Sequence, residues 1–374
     1  MSKSLLCVHL LDDFSGSAKV FAGAVAVLQR AGHATRVVVG SHGAEGFIRR
    51  QHEVETLPYH FHASKVKLFM SFAMVQLRLF LHVWRILRTG QVDAVYVNTV
   101  LPVGAMIAGY LCRRPVITHL HEVGLGTKSL FRLLLACTLL SSSRLITVSN
   151  YVGQALGLPL DRTTVIYNSL EPVEWTQASL IASRRCARAA DEPFRVLMAC
   201  SLKWYKGVDS FLALARHCKA VQKPVLCRVV FTLILNCELE EFTAFRDGLA
   251  ADENIELLRR PSSVYDHYKR AHLVLNLSLP EGWVETFGLT LLEAMSCGVP
   301  VVCPTVGGCT ELFEPGQGGW RIDGHDIAGI ATVIQDLSVS LQTWDVASAR
   351  ALAAASRFSP AIFAERLTRL FTSP

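Results

Sequence analysis

Short β-branched apolar runs alternate with longer stretches of helical periodicity along most of this chain. Residues 4–11 read as a first buried strand, 17–31 as a helix stopped by Gly32, and 35–39 as a second strand. Residues 94–98, 116–119, 145–148 and 164–166 continue the series. Such alternation predicts a parallel sheet, because parallel strands need long crossovers and helical crossovers cover both faces. Periodicity is lost over 168–191, around Glu171-Pro172, which predicts a linker at 171–190. Strand runs then resume at 196–200, 229–235, 255–258, 273–277 and 299–303. The pattern predicts two doubly wound α/β domains, 1–170 and 191–358, facing an interdomain cleft. A last helix within about 359–374 is expected to pack back on the first domain. In such sheets ligands sit beyond the carboxyl ends of the strands.

Two segments bear on membranes. Residues 94–112 are uncharged and about long enough to span a bilayer, but Asn98, Thr99, Pro102 and Gly104 interrupt them. A buried strand, a loop and a core helix are expected there. Lys65–Arg88 carries a broad apolar surface, with Lys67, Ser71, Arg78, His82 and Arg85 near one stripe. It reads as a core helix or as a basic amphipathic helix on an anionic membrane, and the basic-apolar stretch 128–144 adds to the second reading. The apolar stretch at 5–11 is too short for a signal peptide and ends at Asp12 and Asp13.

Composition narrows the class. The chain has 374 residues, 51% hydrophobic and 18% charged, which suits a large core and argues against disorder. Its net charge of +6 is uneven: residues 1–175 hold 17 Lys/Arg against 10 Asp/Glu, and the rest 20 against 21. The basic first half fits an anionic partner, a lipid headgroup or phosphate-bearing acceptor. Nucleic acid is disfavoured, since no recognition motif accompanies the charge. Eleven scattered cysteines without C-x-x-C predict reduced thiols in a cytoplasmic protein, and no metal site.

The chemistry concentrates in 280–300, Pro-Glu-Gly-Trp-Val-Glu-Thr-Phe-Gly-Leu-Thr-Leu-Leu-Glu-Ala-Met-Ser-Cys-Gly-Val-Pro. A helix is expected over 289–296, stopped by Gly298 and Pro300. Glu285 then lies in a strand-to-helix loop and Glu293 inside the helix. The amides of Phe287, Gly288 and Leu289 at a helix N-terminus suit a diphosphate without a metal. Spacing alone would leave two unrelated glutamates, as glutamate pairs are common.

Glu285-Thr-Phe-Gly-Leu and Glu293-Ala-Met resemble the signature of retaining GT-B glycosyltransferases of family four. The resemblance extends over most of the chain. The loop at 14–18 resembles the family's glycine-rich turn near the donor phosphate, with Gly16 as its one glycine. His121-Glu122 resembles the family's His-Asp or His-Glu motif near the transferred sugar. Ser149 and Asn168 resemble segments bordering the cleft. Residues 200–207 resemble G-R-L-x-x-x-K-G, with Leu202, Lys206 and Gly207 matching. Cys200 and Ser201 stand where that pattern has glycine and arginine, and Lys203 is a candidate for the missing charge. Residues 306–311 resemble V-G-G-x-x-E, ending on Glu311. Arg260 and Pro261 fall where relatives hold the nucleobase.

The resemblance implies transfer of a sugar from a UDP- or GDP-linked donor, with retained configuration and no metal or other cofactor. Glu285, His121 and Lys206 are its implied catalytic residues. Gly16, Ser201, Lys203, Lys206, Arg260, Glu285, Thr286, Phe287, Gly288, Leu289 and Glu293 are its implied donor-binding set. Glu293 would bind ribose hydroxyls, and Glu285 the donor sugar or phosphate. A saccharide acceptor, lipid-linked at the inner membrane face, would suit the basic half and a role in surface polysaccharide synthesis. Three rivals stand beside this: a nucleotide-sugar epimerase of the same architecture, a non-catalytic nucleotide-sugar binder, and a dinucleotide dehydrogenase. The last lacks G-x-G-x-x-G after the first strand.

Overall fold

A computed structural model describes residues 2–41, 46–60, 62, 64–185, 192–221, 229–249 and 255–372. The chain divides into two compact units, Met1–Asn168 with Ala361–Pro374, and Ser169–Pro360.

The first unit holds β1 (Ser4–His9), β2 (Ala34–Ser41), β3 (Glu55–Pro58), β4 (Ala94–Asn98), β5 (Val116–Leu120), β6 (Arg144–Thr147) and β7 (Thr163–Val165). They form one parallel sheet in the order β3-β2-β1-β4-β5-β6-β7. The second unit holds β8 (Phe194–Ser201), β9 (Val229–Asn236), β10 (Ile255–Arg259), β11 (Leu273–Leu275), β12 (Val301–Cys303) and β13 (Gly319–Arg321). Its parallel order is β10-β9-β8-β11-β12-β13. Strand order reverses beside β1 and beside β8, so each sheet has a switch point beyond the ends of β1/β4 and β8/β11. Both sheets are doubly wound, so each unit is a Rossmann-like domain.

Burial explains why these runs become strands. Leu6, Val8, Val95 and Val97 are fully buried under Val75, Leu79 and Val83 of the helix Lys65–Arg88. In the second unit Phe194, Val196, Leu233 and Leu273 join Phe211 and Leu214 of the helix Val208–Val221. Each such side chain contributes about 1.5–3 kcal/mol, and continuous apolar runs are what a sheet covered on both faces requires.

Three elements depart from the sequence expectation. β3 and β13 are edge strands of 4 and 3 residues, too short for a period to register. Residues 172–183, apolar on no one face, form a helix. Its start is chemical: Glu171 and Glu174 make a reciprocal capping box, and Pro172 occupies the first turn, where its missing N–H costs nothing. Residues 186–190 of the expected linker lie outside the described residues. The closing helix, Pro360–Thr372, belongs to the first unit from Ala361 onward. There Phe371 lies edge-on to Tyr96 at 5.8 Å, and Arg144 donates to the Leu370 carbonyl at 3.1 Å.

Residues 94–112 resolve into β4, a loop and the helix Val103–Leu111. Among the described residues Lys65–Arg88 is instead the helix long and apolar enough to cross a membrane, by length and composition. It is not simply a core helix. Val75, Leu79, Val83, Ile86 and Leu87 are buried, while Ser71, Arg78 and His82 bond to His60, Pro58 and Glu55 beside the sheet edge. A third face, with Phe69 and Met70, points outward.

Candidate functional site

In the second unit the segments around Lys206, Asn276 and Glu285 converge past the ends of β8 and β11. Lys206 closes the single turn Trp204–Lys206, and Asn276 directly follows β11. Lys206 Nζ donates to Glu285 Oε2 at 3.0 Å, and Asn276 Nδ2 donates to the same oxygen at 3.3 Å. The Gly288 amide also bonds to Glu285. Burial pushes the Glu285 carboxyl upward, but the Lys206 charge and these three hydrogen bonds outweigh it and hold it below its ordinary value. Burial likewise lowers Lys206, and the Glu285 charge more than restores it. Both groups are therefore ionised at neutral pH: a fixed ammonium braced by a fixed carboxylate.

Two glycines make this convergence possible. Gly207 has φ +74°, and a Cβ there would lie 2.1 Å from the Leu277 carbonyl oxygen. That close approach seats the Lys206 turn on the end of β11. Gly307 has φ +122°, and a Cβ there would meet the Glu285 carbonyl oxygen at 2.4 Å. It brings the 306–311 loop, with its 3-10 turn Gly308–Glu311, against the Glu285 loop. The Gly207→Ala protein is expected to lose about 3 kcal/mol or more, from left-handed strain plus the clash. An unchanged urea midpoint would contradict this placement.

The helix Leu289–Ser296 starts at Gly288 (φ +92°), whose carbonyl accepts from the Leu291 and Leu292 amides. Phe287 is buried edge-on to Phe358 and anchors the loop, while Thr286 and Leu289 are half-buried. Glu293 is 7% exposed, and its Oε2 accepts from the Tyr268 hydroxyl at 3.0 Å. Ser201 ends β8, where its carbonyl accepts from the Lys203 amide at 2.8 Å, and Lys203 is exposed. Arg260, with φ +40°, donates to Asn236 at 2.7 Å and Glu238 at 2.8 Å beyond β9 and β10.

The first unit gathers His121, His119, His9 and Asn98 at the ends of β1, β4 and β5. Asn98 Nδ2 donates to the Ser17 carbonyl and to His9 Nδ1, both at 3.1 Å. Its Oδ1 therefore faces His121 Nε2, at 2.8 Å. An amide oxygen only accepts, so His121 carries its proton on Nε2 and presents an unprotonated Nδ1. The Tyr96 hydroxyl bonds to His119 Nδ1 at 2.8 Å. Gly16 is exposed at the first position of the helix Gly16–Arg30, one residue from Ser17. The cluster thus ties the first loop to His121.

Burial holds His9 down to about 4 and His119 to about 3, and burial plus its two histidine neighbours holds His121 well below 6.5. The unfolded chain binds protons at these histidines below about pH 6.5 and the fold does not. The stability they carry above that pH is lost on acidification, about 2 kcal/mol at about pH 5 for His9 and for His119, with His121 acting in the same direction. Burial pushes Glu122 the other way, up to about 7, which returns roughly what one histidine costs. Three against one leaves a net loss, so hydrogen exchange of first-unit peptides is expected to quicken on acidification from neutral pH, after correction for intrinsic rates. Equal protection at both pH values would contradict buried neutral histidines.

Asn98, Asn276 and Tyr268 belong to these clusters without standing out in the sequence. The two asparagines had one available signal: each is a lone amide ending an otherwise apolar strand run. Among the described residues no group of three His, Cys, Asp or Glu side chains is placed to hold a metal ion, and the nine described cysteines are free thiols.

Comparison with known proteins follows the division of the chain. A family model described as "Glycosyltransferase Family 4" matches residues 14–173, and one described as "Glycosyl transferases group 1" matches residues 193–339. The D-inositol 3-phosphate glycosyltransferase 1 of Catenulispora acidiphila is 28% identical over 192 residues, 49% of this chain and 44% of the relative. The Corynebacterium kroppenstedtii D-inositol 3-phosphate glycosyltransferase is 32% identical over 133 residues, 35% of this chain and 29% of the relative. The matched stretches thus span less than half of these curated relatives. The fold resembles that of Anabaena HepE crystallised with UDP and glucose, with a TM-score of 0.75, 20% identity and 100% of both chains covered. It also resembles sucrose-phosphate synthase from Thermosynechococcus elongatus, with a TM-score of 0.73, 14% identity and coverage of 99% and 98%.

Proposed function

The chain belongs to the family-four glycosyltransferases of GT-B fold, and on that premise we propose that it moves a hexose from a UDP- or GDP-linked donor to a saccharide hydroxyl. The single observation that carries this reading is the Lys206–Glu285 pair beside the Gly288-capped helix that bears Glu293. Lys206 sits where a departing diphosphate gathers charge, and the helix N-terminus adds its own positive end. Together they do the work of a divalent metal, so transfer proceeds in EDTA. Glu293 takes the ribose hydroxyls. Glu285 fixes Lys206 and contacts the donor sugar.

Transfer retains the anomeric configuration. Glu285 already accepts from Lys206, Asn276 and the Gly288 amide. A carboxylate so engaged is a poor covalent nucleophile, so the acceptor attacks on the face the diphosphate leaves, and the diphosphate oxygen takes its proton. The neutral Nδ1 of His121 accepts a hydrogen bond from a hydroxyl of the transferred sugar. Lys203 replaces the arginine that falls on Ser201.

The acceptor is a lipid-linked saccharide at the inner face of the plasma membrane, and the product feeds surface polysaccharide synthesis. The basic first half supports this. A thermal-shift screen with UDP and GDP sugars in EDTA tests the donor. A rise in melting temperature with at least one donor is expected, and no response to any would sink the reading.

A further inference from the structure

The helix Lys65–Arg88 turns a band of large apolar side chains to solvent. Val66, Phe69, Met70, Met74, Leu77 and Leu81 are 39–71% exposed. At 100° per residue they fall on one side, opposite the buried stripe Val75, Leu79, Val83 and Ile86. A soluble surface seldom gathers so many large apolar groups on one helix without a partner for them. A second patch lies close by. The helix Val103–Leu111 packs between Lys65–Arg88 and Lys128–Ser141, and Leu133 and Leu140 of the last are 61% and 77% exposed.

The charged side chains on these helices have one sign. Lys65, Lys67, Arg85 and Arg88 are exposed on the first helix, and Lys128 and Arg132 on the third. Across residues 65–160 the chain holds 10 Lys/Arg and only two acidic residues, Asp93 and Glu122. Apolar groups flanked by cations match the two layers of an anionic bilayer surface, acyl chains beneath phosphate headgroups. A membrane-spanning role does not fit, because the opposite side of the same helix is built into the core of the first sheet.

We propose that the outward face of Lys65–Arg88, aided by Leu133 and Leu140, docks the protein on an anionic lipid bilayer. This rests on the lipid-linked acceptor reading and gives it a physical basis. The helix lies in the headgroup plane, with Phe69, Met70 and Leu77 among the acyl chains and Lys65, Lys67, Arg85 and Arg88 at phosphates. Docking confines the enzyme to the surface that carries its acceptor.

The test uses full-length protein and vesicles of phosphatidylcholine with or without phosphatidylglycerol. Wild type is expected to sediment with the anionic vesicles, and less at about 1 M salt, where screening shortens to about 3 Å. The triple variant Phe69→Ser, Met70→Ser, Leu77→Ser is expected to lose roughly tenfold or more of that binding. All three side chains are exposed, so its melting temperature and its response to a UDP or GDP sugar should stay those of wild type. Equal vesicle binding by variant and wild type, or none by wild type, overturns the proposal. So does a wild-type dimer that the variant converts to monomer, because a second copy then covers the face. Absent vesicle binding with an intact donor response sinks the docking surface alone, whereas an absent donor response in wild type sinks the functional reading instead.

Discussion

Replacement of Lys206 by methionine is expected to lower kcat by about 10²–10³, the usual cost of removing one charged donor from a developing oxyanion. Methionine keeps the length and apolar stem of the side chain, so the turn seated by Gly207 should persist. The loss has two parts. The diphosphate loses its ammonium, and Glu285 keeps only the Asn276 and Gly288 bonds in a partly buried site. The Glu285 carboxyl then rises, because the cation that offset its burial is gone. Steady-state rates across pH check both parts. Lys203→Ala separates the two lysines: Lys203 is exposed and takes no part in the Glu285 pair, so a loss of about tenfold is expected if it answers the diphosphate. If only the Lys206 variant loses activity, Lys203 is no substitute for the arginine that falls on Ser201.

The second large effect is on binding. Glu293→Ala is expected to weaken nucleoside diphosphate affinity by about ten- to a hundredfold, the worth of charged hydrogen bonds to ribose hydroxyls. Glu293 is nearly buried inside its helix and accepts from Tyr268. The variant therefore also strips a buried hydroxyl of an acceptor, and Glu293→Gln serves as the control that keeps it. Calorimetric titration of UDP and GDP reads the change directly. Full affinity in the alanine variant would remove Glu293 from the donor site.

Much of this arrangement was legible in the chain. The strand runs at 94–98 and 229–235 and the helix at 289–296 are long or regular enough for their periods to name them. Glu285 and Glu293 stood out through the Thr-Phe-Gly-Leu between them. Other features were hidden for definite reasons. β3 and β13 carry too few residues to show a period. The helix at 172–183 is written in its cap and not in its apolar pattern, so a reading by periodicity passes over it. Lateral partners were hidden most completely. Asn98 meets His121 across 23 positions and Tyr268 meets Glu293 across 25, and no spacing rule links residues on different elements. The helix Lys65–Arg88 was half legible: its polar stripe was visible, but not that Glu55 and Pro58 satisfy part of it and leave a second apolar face outside.

The proposed reaction needs a donor held by Lys206, Glu285 and Glu293 without a metal. Proton NMR of a UDP or GDP sugar incubated with the protein, a saccharide acceptor and EDTA tests it most directly. The account predicts loss of the donor's anomeric signal, release of the nucleoside diphosphate, and a new glycosidic signal of the same anomeric configuration. A product of inverted configuration, an epimerised donor, or transfer only when a divalent metal is restored would contradict it.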